Sequence, residues 1–238
     1  MNEAALIWSY LAQTPLLWLV LTLAGFWLGD WLFRWSGGRS WVNPVLIATV
    51  LLGGLLLITG TRYQTYFEGA QFVHFMLGPA TVALGLPLYD NWARVRKSAL
   101  PLVAGLVAGS VTAVISALAI AHALGAGPAV LASLAPKSTT APVAIGIAQS
   151  LGGEPTLAAV MVIVTGICGA VIAAPLLDLI GVFDPRARGL ATGTAAHGIG
   201  TARAFQAGPT QGIFAGLGMG LNAVLTALLA PLVLKLFL

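Results

Sequence analysis

The sequence predicts an all-α, polytopic membrane protein with broken or re-entrant helices. Three observations support this prediction: the composition, the length of the apolar runs, and the prolines and glycines inside three of those runs. Of the 238 residues, 58% are hydrophobic and only 8% are charged, whereas a soluble domain carries about 25% charged residues. Because so few charges cannot cover a surface that faces water, we expect residues 1–238 to form a single transmembrane domain.

Eight apolar runs follow one another along the chain. We expect them to be helices, because lipid offers backbone groups no hydrogen-bond partner outside a helix. There is room for seven or eight spans of about 20 residues each. The pair Asn43–Pro44 is typical of a helix start. The runs cover residues 15–33, 44–60, 70–89, 99–124, 128–150, 156–180, 190–206 and 210–237.

Three of the runs are poor helices by composition, because prolines or glycines interrupt them. The runs are 70–89, 128–150 and 190–206. Non-helical backbone at membrane depth survives only where it is buried in protein or lines a wet cavity. Each broken run is followed by an unbroken one, and "ATVALG" at 80–85 resembles "APVAIG" at 141–146. This alternation hints at an internal repeat, and interrupted segments in corresponding halves indicate the binding site of a transporter.

Basic residues concentrate in three loops, at 34–39, 94–97 and 186–188. The positive-inside rule places all three loops in the cytoplasm. If 128–150 and 156–180 both crossed the membrane, the third loop would lie outside. Either 128–150 is a re-entrant hairpin bent at its proline-flanked tip, or this loop breaks the charge rule. The hairpin is the preferred interpretation.

Two prolines, Pro136 and Pro142, bracket a polar cluster inside the apolar run 128–150. The orphan N–H groups of a helix that resumes after a break attract anions. The cation and hydroxyls of the cluster strengthen that attraction, so we predict a site for a small carboxylate or phosphate. The alternative is an ordinary interfacial loop whose lysine extends to the lipid headgroups. The cluster consists of Lys137, Ser138, Thr139 and Thr140.

A second polar cluster lies in the run 190–206, which is rich in glycine and alanine. An arginine can bind a carboxylate through two parallel hydrogen bonds, and a histidine can take or release a proton near neutral pH. A break at Gly198 or Gly200 would let these side chains converge. The alternative places the arginine at the interface and the histidine in packing. The predicted substrate-binding residues here are Thr194, His197, Thr201 and Arg203, with His197 also the predicted proton-coupling residue.

Several classes of function find no support in the sequence. There is no phosphate-binding P-loop, no H-E-x-x-H and no Cys/His spacing for a metal, so no cofactor or metal is predicted. Ser138 with His197 as its base lacks a third catalytic member, and we predict that the protein is not an enzyme. The net charge of +4 is spread over short loops, which predicts no nucleic-acid partner.

The two polar clusters lie in motifs that resemble the LrgB family. "APKSTTAPVAIGIAQSLGG" is similar to that family's P-K-S-[VT]-T-[TA]-P-[IV]-A signature, and "ARGLATGTAAHGIGTARAF" is similar to its second conserved block. "NPVLIA", "TGTRYQTYFEGA" and "LGPATVALGLPLYDN" also fit, so the resemblance runs from about Trp41 to near the C-terminus. Residues 139–141 read Thr-Thr-Ala where many relatives read Val-Thr-Thr, which leaves the role of each individual hydroxyl open.

The resemblance implies a multi-pass protein of the bacterial inner membrane. Members of the family usually act beside a smaller, holin-like partner, LrgA, and were first linked to murein hydrolases and autolysis. Relatives are implicated in carrying pyruvate, glycolate or glycerate. We therefore predict a transporter of small 2-oxo or 2-hydroxy monocarboxylates, with proton coupling as a further hypothesis, and a homo-oligomer, specifically a dimer. The alternative is a non-transporting regulator of murein hydrolase activity that acts with an LrgA-type partner.

Overall fold

The described part of the chain is all-α. The computed structural model describes residues 14–39, 41–83, 89 and 96–238, and within these it contains no strand. Nine helices can be delimited in those ranges. They are α1 Pro15–Trp35, α2 Pro44–Thr59, α3 Tyr63–Ala83, α4 Ala99–Ala123, α5 Pro128–Leu134, α6 Ala141–Ser150, α7 Pro155–Leu179, α8 Pro185–Ala207 and α9 Pro209–Leu234.

Four of these helices are long and apolar enough to cross a membrane: α1, α4, α7 and α9. The prediction of an all-α membrane protein is therefore confirmed. The predicted count of seven or eight spans is not confirmed, because these four are the only described helices that qualify. That count stays a prediction.

Proline sets the start of most helices, because its missing N–H is not needed in the first turn. Asn43 caps α2 as the sequence predicts, since its Oδ1 accepts hydrogen bonds from the backbone of Val45 and Leu46 at 2.9 and 3.1 Å. Asp184 caps α8 in the same way, through the backbone N–H of Arg186 at 2.7 Å.

The run predicted to break at Pro79 does not break there. α3 continues through Pro79 to Ala83, although proline removes one helical hydrogen bond. The rest of this predicted break, Gly85 and Pro87, lies outside the described residues. The internal repeat predicted from 80–85 and 141–146 therefore stays a prediction.

The chain divides into two compact units, Met1–Leu84 and Gly85–Leu238. In the first unit, α1 packs closely on α2 and α3. A Cβ on Gly29 would lie 2.7 Å from the carbonyl oxygen of Pro44, so glycine permits this approach. Trp18 is fully buried and meets the ring of Tyr66 edge-on at 5.9 Å.

In the second unit, residues 128–150 fold back on themselves. Helices α5 and α6 flank a turn at 135–140, and we call this segment the first hairpin. After α6 the chain returns to α5, where the N–H of Glu154 donates to Ser133 Oγ at 2.7 Å. Ser133 lies only about 7.5 Å of helix beyond the start of α5, so the chain leaves the segment close to where it entered, far less than the roughly 30 Å of a hydrocarbon core away. The chain thus has the geometry of a re-entrant hairpin here, which agrees with the preferred interpretation of the sequence.

Helix α8 also reverses, and we call residues 185–207 the second hairpin. Ala196 and His197 have non-helical dihedrals and divide α8 into a first arm, 185–195, and a second arm, 198–207. A Cβ on Gly200 would lie 2.8 Å from the carbonyl oxygen of Thr192, whereas eight residues of straight helix would separate them by about 12 Å. The break falls at 196–197, not at the predicted Gly198 or Gly200, because Gly200 is needed where the two arms touch.

The two hairpins enter the second unit from opposite ends. At one end, which we call the Arg186 end, Arg186 Nη1 donates to Ser98 Oγ at 3.4 Å, so the loops before α4 and α8 adjoin. At the other, the His122 end, the rings of His122 and Phe237 lie 5.8 Å apart. The first hairpin follows α4 at the His122 end, and the second follows α7 at the Arg186 end. Residues 96–98 and 181–188 thus share one end, as the charge rule predicts.

Candidate functional site

The two hairpin tips meet at one buried amide, that of Asn222 on α9. Asn222 Nδ2 donates to the carbonyl oxygen of Ser138 in the first hairpin and to that of Thr194 in the second, each at 3.1 Å. Ser138 lies in the turn between α5 and α6, and Thr194 lies just before the reversal at 196–197, so helical hydrogen bonding is interrupted at or next to both acceptors. The amide therefore supplies partners that the broken backbone itself lacks.

The oxygen of the same amide is bonded as well. Asn222 Oδ1 accepts from Ser110 Oγ on α4 at 2.6 Å and from Thr226 Oγ1 on α9 at 3.2 Å. These three side chains are at most 1% exposed. A buried polar network whose members all have partners holds its elements in one arrangement, so α4, α9 and both hairpins are fixed relative to each other here.

At the tip of the first hairpin, local hydrogen bonds shape the turn between the two prolines. Thr139 Oγ1 donates to the carbonyl of Pro136 at 2.9 Å, and Lys137 Nζ donates to Ser138 Oγ at 3.3 Å. Ser138 and Thr139 are buried, whereas Lys137 and Thr140 are half-buried. Thr140 is the N-cap of α6, but its side chain makes no capping bond. The first N–H groups of α6 thus face the turn without a side-chain acceptor from their cap.

At the tip of the second hairpin, His197 has a strained backbone. Its φ is 41° and its ψ is −134°, a region that side chains with a Cβ rarely adopt. Two hydrogen bonds hold this residue. His197 Nε2 lies 2.9 Å from the carbonyl oxygen of Val162, and Thr201 Oγ1 donates to the carbonyl oxygen of His197 at 2.7 Å. The first bond requires the proton on Nε2, so the ring would take up a second proton at Nδ1.

Glycine on α7 makes room for this tip. A Cβ on Gly166 would lie 2.5 Å from His197 Cε1, and a Cβ on Gly169 would meet that of Ala196. The imidazole is 4% exposed as a residue and lies against the middle of α7. The turn that carries Lys137 reaches the same region, because the carbonyl oxygens of Ser138 and Thr194 both accept from Asn222 Nδ2. The fold thus brings the turn around Lys137 and the reversal at His197 to one side chain.

Two ion pairs lie at the Arg186 end, away from the hairpin tips. Arg186 Nη2 donates to the carboxylate of Asp184 at 2.7 Å. This bond holds the pKa of Asp184 at about 2, well below its usual value. Arg188 pairs similarly with Asp178 at 2.5 Å. Both pairs stabilise the connection between α7 and α8, and neither reaches the hairpin tips.

Comparison with known proteins identifies the family. A model of the LrgB-like family matches residues 22–236. The chain belongs to the LrgB-like family. This confirms the resemblance read from the two motifs.

Several bacterial relatives of this LrgB-family chain align over most of its length. It is 36% identical to YwbG of Bacillus subtilis over 197 residues, which cover 83% of this chain and 88% of YwbG. It is 32% identical to the holin-like protein CidB of Staphylococcus epidermidis over 82% of this chain and 86% of CidB. It is 30% identical to the antiholin-like protein LrgB of Bacillus cereus over 92% and 96%. No solved structure matches.

The structure places the predicted site residues in three groups. Lys137, Ser138, Thr140, Thr194 and His197 lie at or beside the meeting tips. Thr139 and Thr201 lie there too, but each donates its hydroxyl proton to a backbone carbonyl and so stabilises the turn or the reversal. Arg203 is half-buried on the second arm, about 9 Å along the helix from the reversal.

Sequence reasoning missed the residue that joins these groups. Asn222 lies in the apolar run 210–237, whose composition predicts only a membrane span. A signal was available, because a side chain that needs several hydrogen bonds is costly inside a membrane helix and usually has a role there. Ser110 and Thr226 carry a weaker signal, since a hydroxyl can bond its own helix backbone. In the described ranges no group of His, Cys, Asp or Glu could hold a metal ion.

Proposed function

We propose that this LrgB-family protein binds a small anionic solute, a short monocarboxylate, between its two hairpin tips and carries it across the membrane. The observation that supports this is the meeting of the two broken segments, which carry Lys137 and His197, at the amide of Asn222, on hairpins that enter from opposite ends. Broken helices that meet near the middle of a bundle are the usual site of solute binding in secondary transporters.

The chemistry of the first tip suits a carboxylate. Among the described residues, ion pairs involve Asp30, Asp178 and Asp184, and none of them reaches Lys137. Within the described part of the chain, the ammonium donates only to the hydroxyl of Ser138, at the long distance of 3.3 Å. A half-buried cation without an opposite charge is unfavourable, and a bound carboxylate would offset that cost. The N–H groups at the start of α6 would add donors for the same oxygens.

The second tip would complete the site. In this proposal Thr194 and His197 face the solute across the gap, and Thr140 adds a hydroxyl from the cap of α6. Arg203 would bind a carboxylate bidentately when the second hairpin shifts along its axis. The whole chain would act as one transporter domain in the bacterial inner membrane, as a dimer.

The test of the anion site is binding of labelled pyruvate to the purified protein in detergent. Lys137→Ala should lower the affinity at least tenfold, because the only full charge at the tip is lost. Lys235→Ala is the matched control, since it removes an exposed cation just after α9 and should leave the affinity within twofold. Equal binding by wild type and Lys137→Ala would place the site elsewhere.

A second function is favoured by the names of the relatives. CidB is named holin-like and LrgB antiholin-like, and these names support a regulatory role more directly than they support transport. In this alternative the chain does not carry a solute. It acts with a small, LrgA-type membrane partner to control murein hydrolase activity.

Uptake by sealed liposomes that contain this chain alone separates the two functions. Accumulation of labelled pyruvate or glycolate supports transport without a partner. If folded protein gives no uptake, yet its expression changes the autolysis rate of cells only when an LrgA-type protein is present, the regulatory function is the correct one.

A further inference from the structure

A cavity of about 590 Å³ lies between α4 and the first arm of the second hairpin. Its walls are mainly small residues, so the two helices leave space where larger side chains would fill it. Small residues face each other from both sides: Gly105, Gly109 and Ala113 on α4, and Ala187, Ala191 and Ala195 on the first arm.

The two ends of this cavity differ. We call one end of it the mouth: it lies at the Arg186 end, where Ser98, Asp184 and Arg186 supply a hydroxyl and a charged pair. We call the other end the floor: it lies at Thr194, beside the tip of the second hairpin. The cavity therefore leads from a charged loop to the place where the two hairpins meet.

The floor of the cavity is part of the Asn222 network. The carbonyl of Thr194 accepts from Asn222 Nδ2, and Ser110, next to the cavity residue Gly109, donates to Asn222 Oδ1. Thr194 Oγ1 is buried, and within the described ranges it has no hydrogen-bond partner. A buried hydroxyl left without a partner is unfavourable, so the floor has unused capacity for a water or a polar solute.

We propose that this cavity is the aqueous entry to the hairpin tips and that the amide of Asn222 is the gate at its inner end. The volume corresponds to about twenty waters at about 30 Å³ each. The two bonds from Asn222 Nδ2 tie the first hairpin to the second and close the path toward the His122 end. The protein thus stands open to the Arg186 end, and the gate opens when Ser138 and Thr194 separate from the amide.

This inference supplies a route to the site of the proposed function, but its test needs no substrate. Cys168 is the only cysteine in the chain, so Cys168→Ser gives a background without thiols. Single cysteines are then introduced into this background, and the protein is studied in right-side-out and in inverted membrane vesicles. The probe is a membrane-impermeant cationic methanethiosulfonate.

The first measurement asks whether the cavity is wet. Ala113→Cys lines the cavity, whereas Ala108→Cys lies one and a half turns away on an exposed face of α4 outside the lining. Ala187→Cys, at the mouth, identifies the side. From that side Ala113→Cys should react at least tenfold faster than Ala108→Cys. Equal, slow reaction of both would show that lipid fills the cavity and would overturn the proposal.

The second measurement tests the gate. From the opposite side, Ala113→Cys should be at least tenfold less reactive than from the Ala187 side. Adding Asn222→Asp, which keeps the size but removes both N–H donors, should raise that slow rate at least tenfold. Thr226→Val is the matched control, since it removes a bond to Oδ1 and leaves both hairpin bonds intact, and it should change the rate less than twofold.

Two results would contradict the gate. One is an unchanged rate in Asn222→Asp; the other is an equal increase in Thr226→Val, which would indicate general loosening of the bundle. Asn222→Ala replaces Asn222→Asp if the latter is not recovered as folded protein. If pyruvate does not bind but the accessibility pattern holds, the monocarboxylate function is wrong and the gated route stands.

Discussion

At the scale of single residues, the site depends on three side chains with different tasks. Lys137 brings a charge into the apolar bundle, His197 holds a strained reversal, and Asn222 joins the two hairpins. Among the described residues His197 is the only non-glycine with a positive φ. Such strain persists only where the surroundings enforce it, and it clusters at functional sites.

His197→Gln tests proton coupling at this reversal. The glutamine amide can still donate to the carbonyl of Val162, so the reversal should survive, but the side chain no longer titrates near neutral pH. We expect exchange of labelled pyruvate across the membrane to persist, and accumulation driven by a pH gradient to be lost. Full pH-driven accumulation in this variant would show that His197 only packs.

Asp184→Asn is the control for that experiment. The bond from Arg186 holds the pKa of Asp184 at about 2, so this carboxylate stays ionised throughout the physiological range. Because its folded pKa is depressed, its contribution to stability is complete above the ordinary carboxyl pKa and is lost only as the pH falls through 2. Being exposed, the pair contributes little. We expect the variant to leave the pH profile of transport unchanged above pH 5.

At the scale of elements, close packing of α8 on α9 depends on glycines that face backbone. The first arm runs parallel to α9: Gly189 lies on the carbonyl of Gln211, and Gly193 on that of Ala215. Small residues let membrane helices approach to backbone contact. The second hairpin is thereby held against the helix that carries Asn222.

Two glycines on α9 give a matched test of this packing. A Cβ on Gly218 would lie 2.8 Å from the carbonyl oxygen of Leu190, whereas one on Gly216 would meet nothing within 4 Å. Gly218→Ala should therefore destabilise the protein by about 1–3 kcal/mol through overpacking. Gly216→Ala should be neutral or stabilising by up to about 1 kcal/mol, from helix propensity. Thermal unfolding in detergent measures both, and similar midpoints would contradict the packing argument.

At the scale of the whole molecule, the two hairpins and their opposite entry ends determine the topology of the second unit. If residues 128–150 return to the side they left, Leu124 and Glu154 lie on one side of the membrane, and Lys97 and Ala187 lie on the other. The bonds from Glu154 to Ser133 and from Arg186 to Ser98 support this arrangement.

Cysteine labelling in the Cys168→Ser background checks the topology. Lys97→Cys and Ala187→Cys should be labelled only from the cytoplasm, as the positive-inside rule requires. Leu124→Cys and Glu154→Cys should be labelled only from outside. Labelling of Leu124→Cys and Glu154→Cys from different sides would mean that the first hairpin crosses the membrane.

Much of the fold follows from local patterns that the sequence displays. Apolar runs set the positions of the helices, N-terminal prolines and Asn43 set their starts, and Pro136 and Pro142 set the turn of the first hairpin. Pro79 shows the limit of such reasoning, since α3 passes through it. A proline weakens a helix locally, but neighbouring contacts decide whether the helix breaks.

The sequence by itself determined the all-α membrane class, the LrgB-like family and the polar clusters around Lys137 and His197, because composition and motifs are local properties. Only the tertiary structure decided that α8 reverses at His197, that Asn222 binds both tips and that a cavity ends at Thr194. Each of these rests on contacts between residues far apart in the chain: Ser138 and Asn222 are 84 residues apart. A pattern of spacing within one segment carries no information on which distant backbone will meet it.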